Sequence, residues 1–188
     1  MRPGEEKTEA IVNYPPPNKN IKQVQSFLGL VSYFRKFIDD FSIKAKPLSD
    51  LSRKETKFVY GEAQQEAFEQ LKSEVVIKKP VLKLYEQGVE TEVHTDASKD
   101  GYSAVMLQRC KTDNEMHPVQ FMSKKTNEVE AKTHSYELEV AAIIQALKKW
   151  KPYRLGQKFK VITDCIAFTM TIRKRDLPAK VARWALYM

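Results

Sequence analysis

The residues best suited to chemistry are three carboxylates placed near the ends of predicted strands and helices. Asp96 lies inside the alternating run Glu92–Ser98, and Asp164 directly follows the run Val161–Thr163, so a threonine precedes each of these acids. A carboxylate in the middle of a strand disfavours both strand formation and burial, so its presence requires an explanation. Glu139 falls in the first turns of a predicted helix. We interpret these three acids as candidate metal ligands.

The elements that would position the acids follow from the periodicity of the sequence. The C-terminal half alternates as strands do and then changes to helical spacing, which predicts strands over Thr91–Ser98, Tyr102–Arg109 and Pro118–Ser123, a helix over Thr133–Trp150 and a strand over Lys158–Thr163. Because a helix separates the first strand from the last, we expect these two strands to be parallel. If they are neighbours, the two Thr-Asp pairs stand side by side, near the start of the helix.

Three acids at one edge of a sheet cannot all remain ionised unless cations join them. Mg²⁺ is the natural choice, since it is a hard ion that takes oxygen ligands and keeps several waters. Two such ions about 3.5–4 Å apart would activate a water and stabilise a leaving 3′ oxygen in phosphodiester cleavage. The alternative is that each acid is a solvated surface residue or a turn former. The duplicated Thr-Asp pair, together with a helix glutamate, favours the metal site.

The N-terminal half is predicted to be helical after a proline-broken start. Residues 1–20 are polar and contain Pro15-Pro16-Pro17, which is typical of an extended linker. Asn20 is a candidate N-cap for an amphipathic helix over Ile21–Ile38. Further helices are predicted over 42–54 and 62–76, followed by a short strand or extended connector over 81–85. Beyond the last strand, a helix is predicted over 166–173.

Composition limits the class of partner. Charged residues make up 30% and hydrophobic residues 42% of the chain, which excludes wholesale disorder, and no apolar run approaches the roughly 20 residues of a membrane span. The net charge of +8 favours an anionic partner, most simply nucleic acid, although an ordinary basic surface is the alternative. Two cysteines without CxxC spacing suggest reduced thiols and an intracellular protein, with cytoplasm and nucleus left open.

Several segments resemble, in order and spacing, the ribonuclease H domain of gypsy-type LTR retrotransposon reverse transcriptases. The upstream segment Gln25–Ile38 resembles the thumb of the same polymerase, and Phe58–Tyr85 resembles its connecting segment. The segments that carry the RNase H resemblance are His94–Ser98, Gly101–Gln108, His117–Lys125, Tyr136–Ile143 and Phe159–Asp164.

The resemblance implies an α/β fold in which a small helical thumb and connection precede an RNase H-like mixed sheet. The implied divisions are a linker or end of the palm over 1–20, a thumb over 21–56, a connection over 57–89 and an RNase H-like domain over 90–188. The polymerase palm is expected to lie outside this chain. The chain also stops at Met188, before the position of the family's fourth carboxylate, so the last helix and that ligand are expected to be missing.

The resemblance also implies roles for individual residues. Asp96, Glu139 and Asp164 would be the catalytic carboxylates and would bind two Mg²⁺ ions, with Mn²⁺ as an alternative. Glu137 is the rival to Glu139, but it lies closer to the frayed start of the helix. Cys165 stands where the family often has a histidine.

Nucleic-acid contacts are expected on the basic faces. Lys22, Arg35 and Lys36 could follow the backbone of a template–primer duplex, and Ser123 and Lys124 could contact an RNA/DNA hybrid. For each of these residues taken singly, a solvated polar surface is an equally good interpretation. The remainder of a Pol polyprotein is the expected protein partner, and no membrane partner is expected.

The preferred function is hydrolysis of the RNA strand of RNA/DNA hybrids, as part of an RNA-directed DNA polymerase. The second hypothesis is an inactive fragment of a transposon polyprotein that binds nucleic acid or supports assembly. A third, an ATPase on the same fold, is disfavoured because no glycine-rich phosphate loop accompanies the Asp strands.

Overall fold

The fold is a group of helices followed by a mixed sheet, which confirms the predicted α/β class. The computed structural model describes residues 4–53, 56–76, 81–154 and 156–165. Its elements in chain order are α1 (Glu5–Val12), α2 (Ile21–Ser32), α3 (Phe41–Lys44), α4 (Lys46–Asp50), α5 (Glu62–Val76), β1 (Thr91–Ala97), β2 (Gly101–Arg109), β3 (Met116–Lys125), α6 (Ser135–Lys149), α7 (Lys151–Arg154) and β4 (Lys160–Ile162). The segment 166–173, for which the sequence predicts a helix, lies outside the described residues.

The N-terminal segment is helical where the sequence predicts an extended linker, so that prediction is wrong for Glu5–Val12. The anchor is Ile11, which is fully buried in the core of the helical part. Burial of such a side chain stabilises by roughly 1.5–3 kcal/mol, enough to order a short helix of otherwise polar composition. After α1, the Tyr14 hydroxyl donates to the Gln23 carbonyl at 3.0 Å and fastens the proline segment to α2.

Helix α2 begins as predicted and ends earlier than predicted. The Asn20 side chain accepts a hydrogen bond from the Gln23 N–H at 3.0 Å, which confirms the N-cap. The helix stops at Ser32 instead of Ile38, and tight turns lead to Asp40, whose φ is +50°. The apolar pattern continues past the helix because Phe34 and Ile38 fill the same core from these turns. Periodicity alone therefore overestimates the length of the helix.

The region after Asp40 is divided at Ala45. The sequence predicts one helix over 42–54, whereas the chain forms the short helices α3 and α4. Pro47 lies in the first turn of α4, where its missing N–H has no intrahelical partner to lose. Helix α5 covers Glu62–Val76, as predicted.

The sheet has the strand order β3-β2-β1-β4. Strands β1, β2 and β3 form an antiparallel meander, and β4 pairs with the other side of β1 in parallel. The predicted parallel pairing of the first and last strands is therefore confirmed. Sequence periodicity placed every strand end within two residues, and β3 is the most underestimated because it begins at Met116 and continues to Lys125.

Gly101 explains why the first hairpin can pack so closely on the outer strand. A Cβ atom built on Gly101 would lie 2.7 Å from the Lys124 carbonyl oxygen and 3.2 Å from Ile43. Real Cβ atoms do not approach backbone oxygen so closely, so this position requires glycine. Gly101 thus follows the turn between β1 and β2 and also permits a close approach of two backbones.

Helix α6 covers β1 and β2 and completes the core of the sheet. Val93, Met106, Ala146 and Trp150 form this core, and the Trp150 indole N–H donates to Gln120 Oε1 at 3.0 Å. Packing on the sheet fixes the position of the helix and, with it, the side chains of its first turns.

The helical part is joined to the outer strand β3 by backbone and side-chain hydrogen bonds. The Phe121 N–H donates to the Lys36 carbonyl at 3.0 Å, and the Ser42 N–H donates to Ser123 Oγ at 2.8 Å.

In the described residues, no helix is both long enough and apolar enough to cross a membrane.

Candidate metal centre and nucleic-acid groove

Strand β1 presents Asp96 on the side of the strand that faces away from the core. Thr91, Val93 and Thr95 are buried, whereas Asp96 is exposed, as the alternation of side chains predicts. Strand β4 pairs with β1 in the register Val93↔Val161, and the same register continued along both chains aligns Asp96 with Asp164.

Asp164 is positioned by the residue that follows it. Cys165 is buried against Val140 and Ile143 of α6, and its N–H donates to Thr163 Oγ1 at 3.2 Å. This packing holds the end of β4 against the helix, so that Asp164 lies near Glu139. A thiol at position 165 therefore has a structural role, since it is a small apolar anchor beside the candidate site.

Glu139 lies in the second turn of α6, a helix whose start is capped by His134. The His134 Nδ1 accepts from the Tyr136 N–H at 3.3 Å. The backbone N–H of Ala97, at the end of β1, is hydrogen-bonded to the Glu139 carboxylate. The second carboxylate oxygen, Oε2, is buried and has no hydrogen-bond partner among the described residues.

The pKa of Glu139 is raised by burial and in part by the negative charges of the other two acids. Burial first, then the negative charge of Asp164 and then that of Asp96 raise the pKa of Glu139 from 4.5 to about 7. The hydrogen bond from Ala97 opposes this change and is too weak to cancel it. The structure thus brings Asp96, Glu139 and Asp164 together.

This donor set suits a hard divalent cation. A buried carboxylate oxygen without a partner needs a ligand, and neighbouring carboxylates repel each other until a cation is bound. Among the described residues, the three acids do not form a group whose ligand atoms all lie within 4.8 Å of one another. Mg²⁺ holds its oxygens at about 2.0–2.1 Å, so binding of one ion by all three acids would require them to draw closer.

A basic groove lies between the turn after α2, strand β3 and the last turn of α6. It has a volume of about 490 Å³ and is lined by Arg35, Met122, Ser123, Lys124, Gln145, Lys148 and Lys149. Three of the five predicted nucleic-acid residues, Arg35, Ser123 and Lys124, therefore meet at one place. Lys148 and Lys149 were missed in the sequence, where the pair looks like an ordinary basic C-terminus of a helix.

The charges in this groove influence one another. Partial burial, and then the positive charge of Arg35, lower the pKa of Lys149. The Lys124 ammonium lies 5.4 Å from the centroid of the Tyr102 ring, and a contact with Tyr102 is the main reason that the pKa of Lys124 is raised. An anion in the groove would relieve the repulsion between Arg35 and Lys149.

The remaining predicted nucleic-acid residues lie in other environments. The Ser123 side chain is buried, and its hydroxyl is hydrogen-bonded to Ser42. Lys22 lines a separate surface cavity with Lys19 and Phe58, and the Lys36 ammonium lies 5.1 Å from the centroid of the Phe37 ring.

An antiparallel three-strand meander, extended by a parallel fourth strand and carrying acids at that junction, defines the RNase H-like class of fold. The chain belongs to the family described as the RNase H-like domain found in reverse transcriptase, which it matches over residues 60–161. The match includes Asp96 and Glu139 and ends just before Asp164.

Curated relatives are Pol polyproteins of retrotransposons. The chain is 34% identical over 185 residues to the retrovirus-related Pol polyprotein from transposon 297 of Drosophila melanogaster and 31% identical over 195 residues to that from transposon gypsy. A transposon Tf2-3 polyprotein of Schizosaccharomyces pombe is 30% identical over 190 residues. These alignments include 97–99% of this chain, which spans only 14–18% of each relative.

Solved structures confirm the fold. The foamy viral protease-reverse transcriptase dRH in complex with double-stranded DNA has a TM-score of 0.77, with 21% identity over 98% of this chain and 33% of that chain. The same type of enzyme in complex with an RNA/DNA hybrid has a TM-score of 0.71, with 21% identity over 98% of this chain and 25% of that chain.

Proposed function

We propose that this chain hydrolyses the RNA strand of RNA/DNA hybrids by metal-dependent phosphodiester cleavage, as part of a retrotransposon reverse transcriptase. The observation that carries the proposal is the convergence of Asp96, Asp164 and Glu139, with one Glu139 oxygen buried and unpaired. Such an arrangement destabilises a protein without a cation, so it suggests a ligand-binding role. The parent protein would be an RNA-directed DNA polymerase.

In this proposal the three acids hold the ions and orient the reacting water. Two Mg²⁺ ions, or Mn²⁺ in their place, would lower the pKa of a bound water and stabilise the charge of the leaving 3′ oxygen. Asp96 and Asp164 are the more exposed acids, so they can reach ions at the surface where a nucleic acid binds. Glu139 is half-buried and must give up its proton near pH 7 to act as a ligand.

The basic groove would hold the backbone of the same nucleic acid. Lys148 and Lys149 are in the last turn of α6, about 14 Å along the helix axis from Glu139. A duplex that rises about 3.4 Å per base pair covers this distance in about four steps. Arg35, Lys124 and Lys149 would therefore contact phosphates a few nucleotides from the cleaved bond, while Lys22 and Lys36 would contact the duplex elsewhere. Contacts to phosphates and 2′-hydroxyls would make binding dependent on shape more than on sequence.

The proposal includes a division of the chain into a helical part and an RNase H-like domain. The buried core of the helical part is formed by residues between Ile11 and Leu82, whereas separate clusters are formed by the sheet with α6. This separation supports a boundary between the helical part and an RNase H-like domain from residue 90. The division of the helical part into a thumb over 21–56 and a connection over 57–89 rests on the resemblance, since one buried core joins the two.

Cleavage of a labelled RNA/DNA hybrid tests the proposal. With Mg²⁺ or Mn²⁺, the chain should cleave the RNA strand, and Asp96→Asn should abolish cleavage. Asp100→Asn is the matched control because Asp100 is an exposed acid in the adjacent turn. Wild-type cleavage no greater than that of Asp96→Asn would refute the proposal for this chain.

A second candidate function is nucleic-acid binding without catalytic activity. The basic groove favours it, because the groove's lysine and arginine side chains can bind phosphates whether or not the three acids bind metal. Lys124→Ala and Lys149→Ala should each weaken hybrid binding and reduce the salt dependence by about 0.7–0.9 in the log–log slope. Lys158→Ala removes an exposed lysine outside the groove and is the control. Unchanged binding by both groove variants would refute this role of the groove.

A further inference from the structure

The turn between β2 and β3 brings together three side chains that sequence spacing alone does not connect. Cys110 Sγ, an Asp113 carboxylate oxygen and a His117 ring nitrogen all lie within 4.8 Å of one another. The sequence predicts only that Cys110 is a reduced thiol. In the structure this thiol lies beside a carboxylate and an imidazole.

The backbone explains how these three residues meet. Gln108 pairs with His117 across β2 and β3, so Cys110, two residues further on, projects from the same face as His117. The Cys110 N–H donates to the Glu115 carbonyl at 2.8 Å, and the Asn114 N–H donates to the Cys110 carbonyl at 3.0 Å. Asn114 has a φ of +60°, which reverses the chain and returns Asp113 toward the other two side chains.

Hydrogen bonds already orient the potential ligands. The carboxylate of Asp113 accepts from the Glu115 N–H at 3.0 Å through one oxygen and lies 2.7 Å from His117 Nε2 through the other. The Cys110 thiol lies 2.9 Å from Thr112 Oγ1, and hydrogen bonds to Thr112 are the main cause that lowers the pKa of this thiol. A lowered thiol pKa favours the thiolate, which is the form that binds metals.

The two cations that flank Cys110 in the chain are paired with other groups. Arg109 is bonded to the Glu90 carboxylate at 2.7 Å and to the Asn114 carbonyl at 2.8 Å. Lys111 pairs with Glu86. These pairings reduce the repulsion that a bound cation would meet from either side chain.

We propose that Cys110, Asp113 and His117 form a site for a borderline-soft divalent cation such as Zn²⁺, with a fourth coordination position open to solvent. Sulfur, imidazole nitrogen and carboxylate oxygen are the ligand types of Zn²⁺, whereas Mg²⁺ takes oxygen alone. Side-chain rotations can contract the group from its present spacing to tetrahedral distances. The chain would thus hold two chemically distinct cation sites.

The two sites are far apart along the sheet. Asp96 pairs with Ser103 at one end of β2, and Cys110 lies seven residues further on, which corresponds to about 23 Å in a strand. The Zn²⁺ site would therefore fix the β2–β3 turn without contacting the acids. Binding would stabilise the folded chain in proportion to the logarithm of the free metal concentration.

The test uses the whole chain in its reduced form. Bound metal is first removed with a chelator, and Mg²⁺ is then added in excess to occupy the three acids. Zn²⁺ titration by calorimetry should give one site, and Co²⁺ should give a thiolate charge-transfer band. Cys110→Ser and His117→Asn should each weaken Zn²⁺ binding at least tenfold, and Cys110→Ser should remove the band. Glu115→Gln, in the same turn but outside the group, is the matched control.

Two results would overturn the proposal. One is Zn²⁺ binding that survives both Cys110→Ser and His117→Asn unchanged. The other is binding that disappears in Asp96→Asn, because the ion would then occupy the acids. Thermal unfolding of each metal-free variant, which should match the wild type, separates loss of a ligand from loss of the fold.

Discussion

Replacing Glu139 by Gln should stabilise the metal-free protein at alkaline pH. Gln resembles the protonated acid in shape and carries no charge, so it removes the repulsion from Asp96 and Asp164. The pKa of Glu139 rises from 4.5 to about 7 in the fold, because of burial and then these two neighbours. This difference between the unfolded and folded pKa corresponds to about 3 kcal/mol in the free energy of unfolding. Solvent screening at this open edge of the sheet reduces the expected effect to about 1–2 kcal/mol.

The sign of the pH dependence follows from proton linkage. Below pH 4.5, Glu139 is protonated in both the folded and the unfolded chain, so its raised pKa costs no stability. Between pH 4.5 and 7 the unfolded chain releases a proton that the folded chain keeps, so the free energy of unfolding falls as pH rises. Above pH 7 the loss is complete.

Urea unfolding of the wild type and Glu139→Gln, with a chelator present, measures this effect. The variant should gain little at pH 5 and about 1–2 kcal/mol at pH 8. Glu90, whose pKa is lowered to about 2 mainly by hydrogen bonds from Lys160 and then Arg109, titrates below this range and does not interfere.

Glu137→Gln is the matched control, since Glu137 lies two residues earlier on the same helix. This variant should keep the pH dependence of the wild type. With Mg²⁺ at pH 8 the wild type should become more stable than Glu139→Gln, because the wild type gains stability by binding the ion and Glu139→Gln gains less. A difference between the wild type and Glu139→Gln that stays constant from pH 5 to pH 8 would refute the reasoning.

The remaining predictions concern the cation, the hairpin and the first cap. Mg²⁺ must displace the proton of Glu139, so calorimetry should show the apparent affinity falling about tenfold per pH unit below pH 7; an affinity independent of pH would contradict this. Gly101→Ala places a methyl group 2.7 Å from the Lys124 carbonyl, and a loss of roughly 1–3 kcal/mol in urea unfolding should follow. Asn20→Ala should cost about 1 kcal/mol by the same measurement, whereas Asn18→Ala, outside the cap, should cost much less.

The sheet and its acids were predictable because their signals are local. Alternation in Thr91–Ala97 places Asp96 on the opposite side from Val93, and a helix between two strands makes them parallel. These two facts place Asp96 beside Asp164 once the two strands are neighbours in the register Val93↔Val161, which the structure supplies. The choice of Glu139 over Glu137 rested on resemblance and on the position of Glu137 near the frayed start of the helix, and the charges that act on Glu139 in the structure favour it.

Features that depend on tertiary contacts were missed. Helix α1 exists because Ile11 finds a buried position, which its polar neighbours do not indicate. Helix α2 ends at Ser32, although Phe34 and Ile38 continue its pattern, because turns can fill a core as well as a helix can. The basic groove joins Arg35 to Lys149, which lie on separate elements, so no window of sequence contains both.

Helix α6 shows which physical effect dominates at the candidate centre. Glu139 lies in the second turn of α6, beyond the first turn in which the helix dipole stabilises a carboxylate by about 0.3–1 kcal/mol. The pKa of Glu139 is raised by burial and then by the charges of Asp164 and Asp96. A bound cation offsets both causes at once, because it replaces lost hydration and neutralises the neighbouring acids. The three residues that destabilise the metal-free fold would then stabilise the loaded one, and this reversal separates a metal centre from a chance cluster of acids.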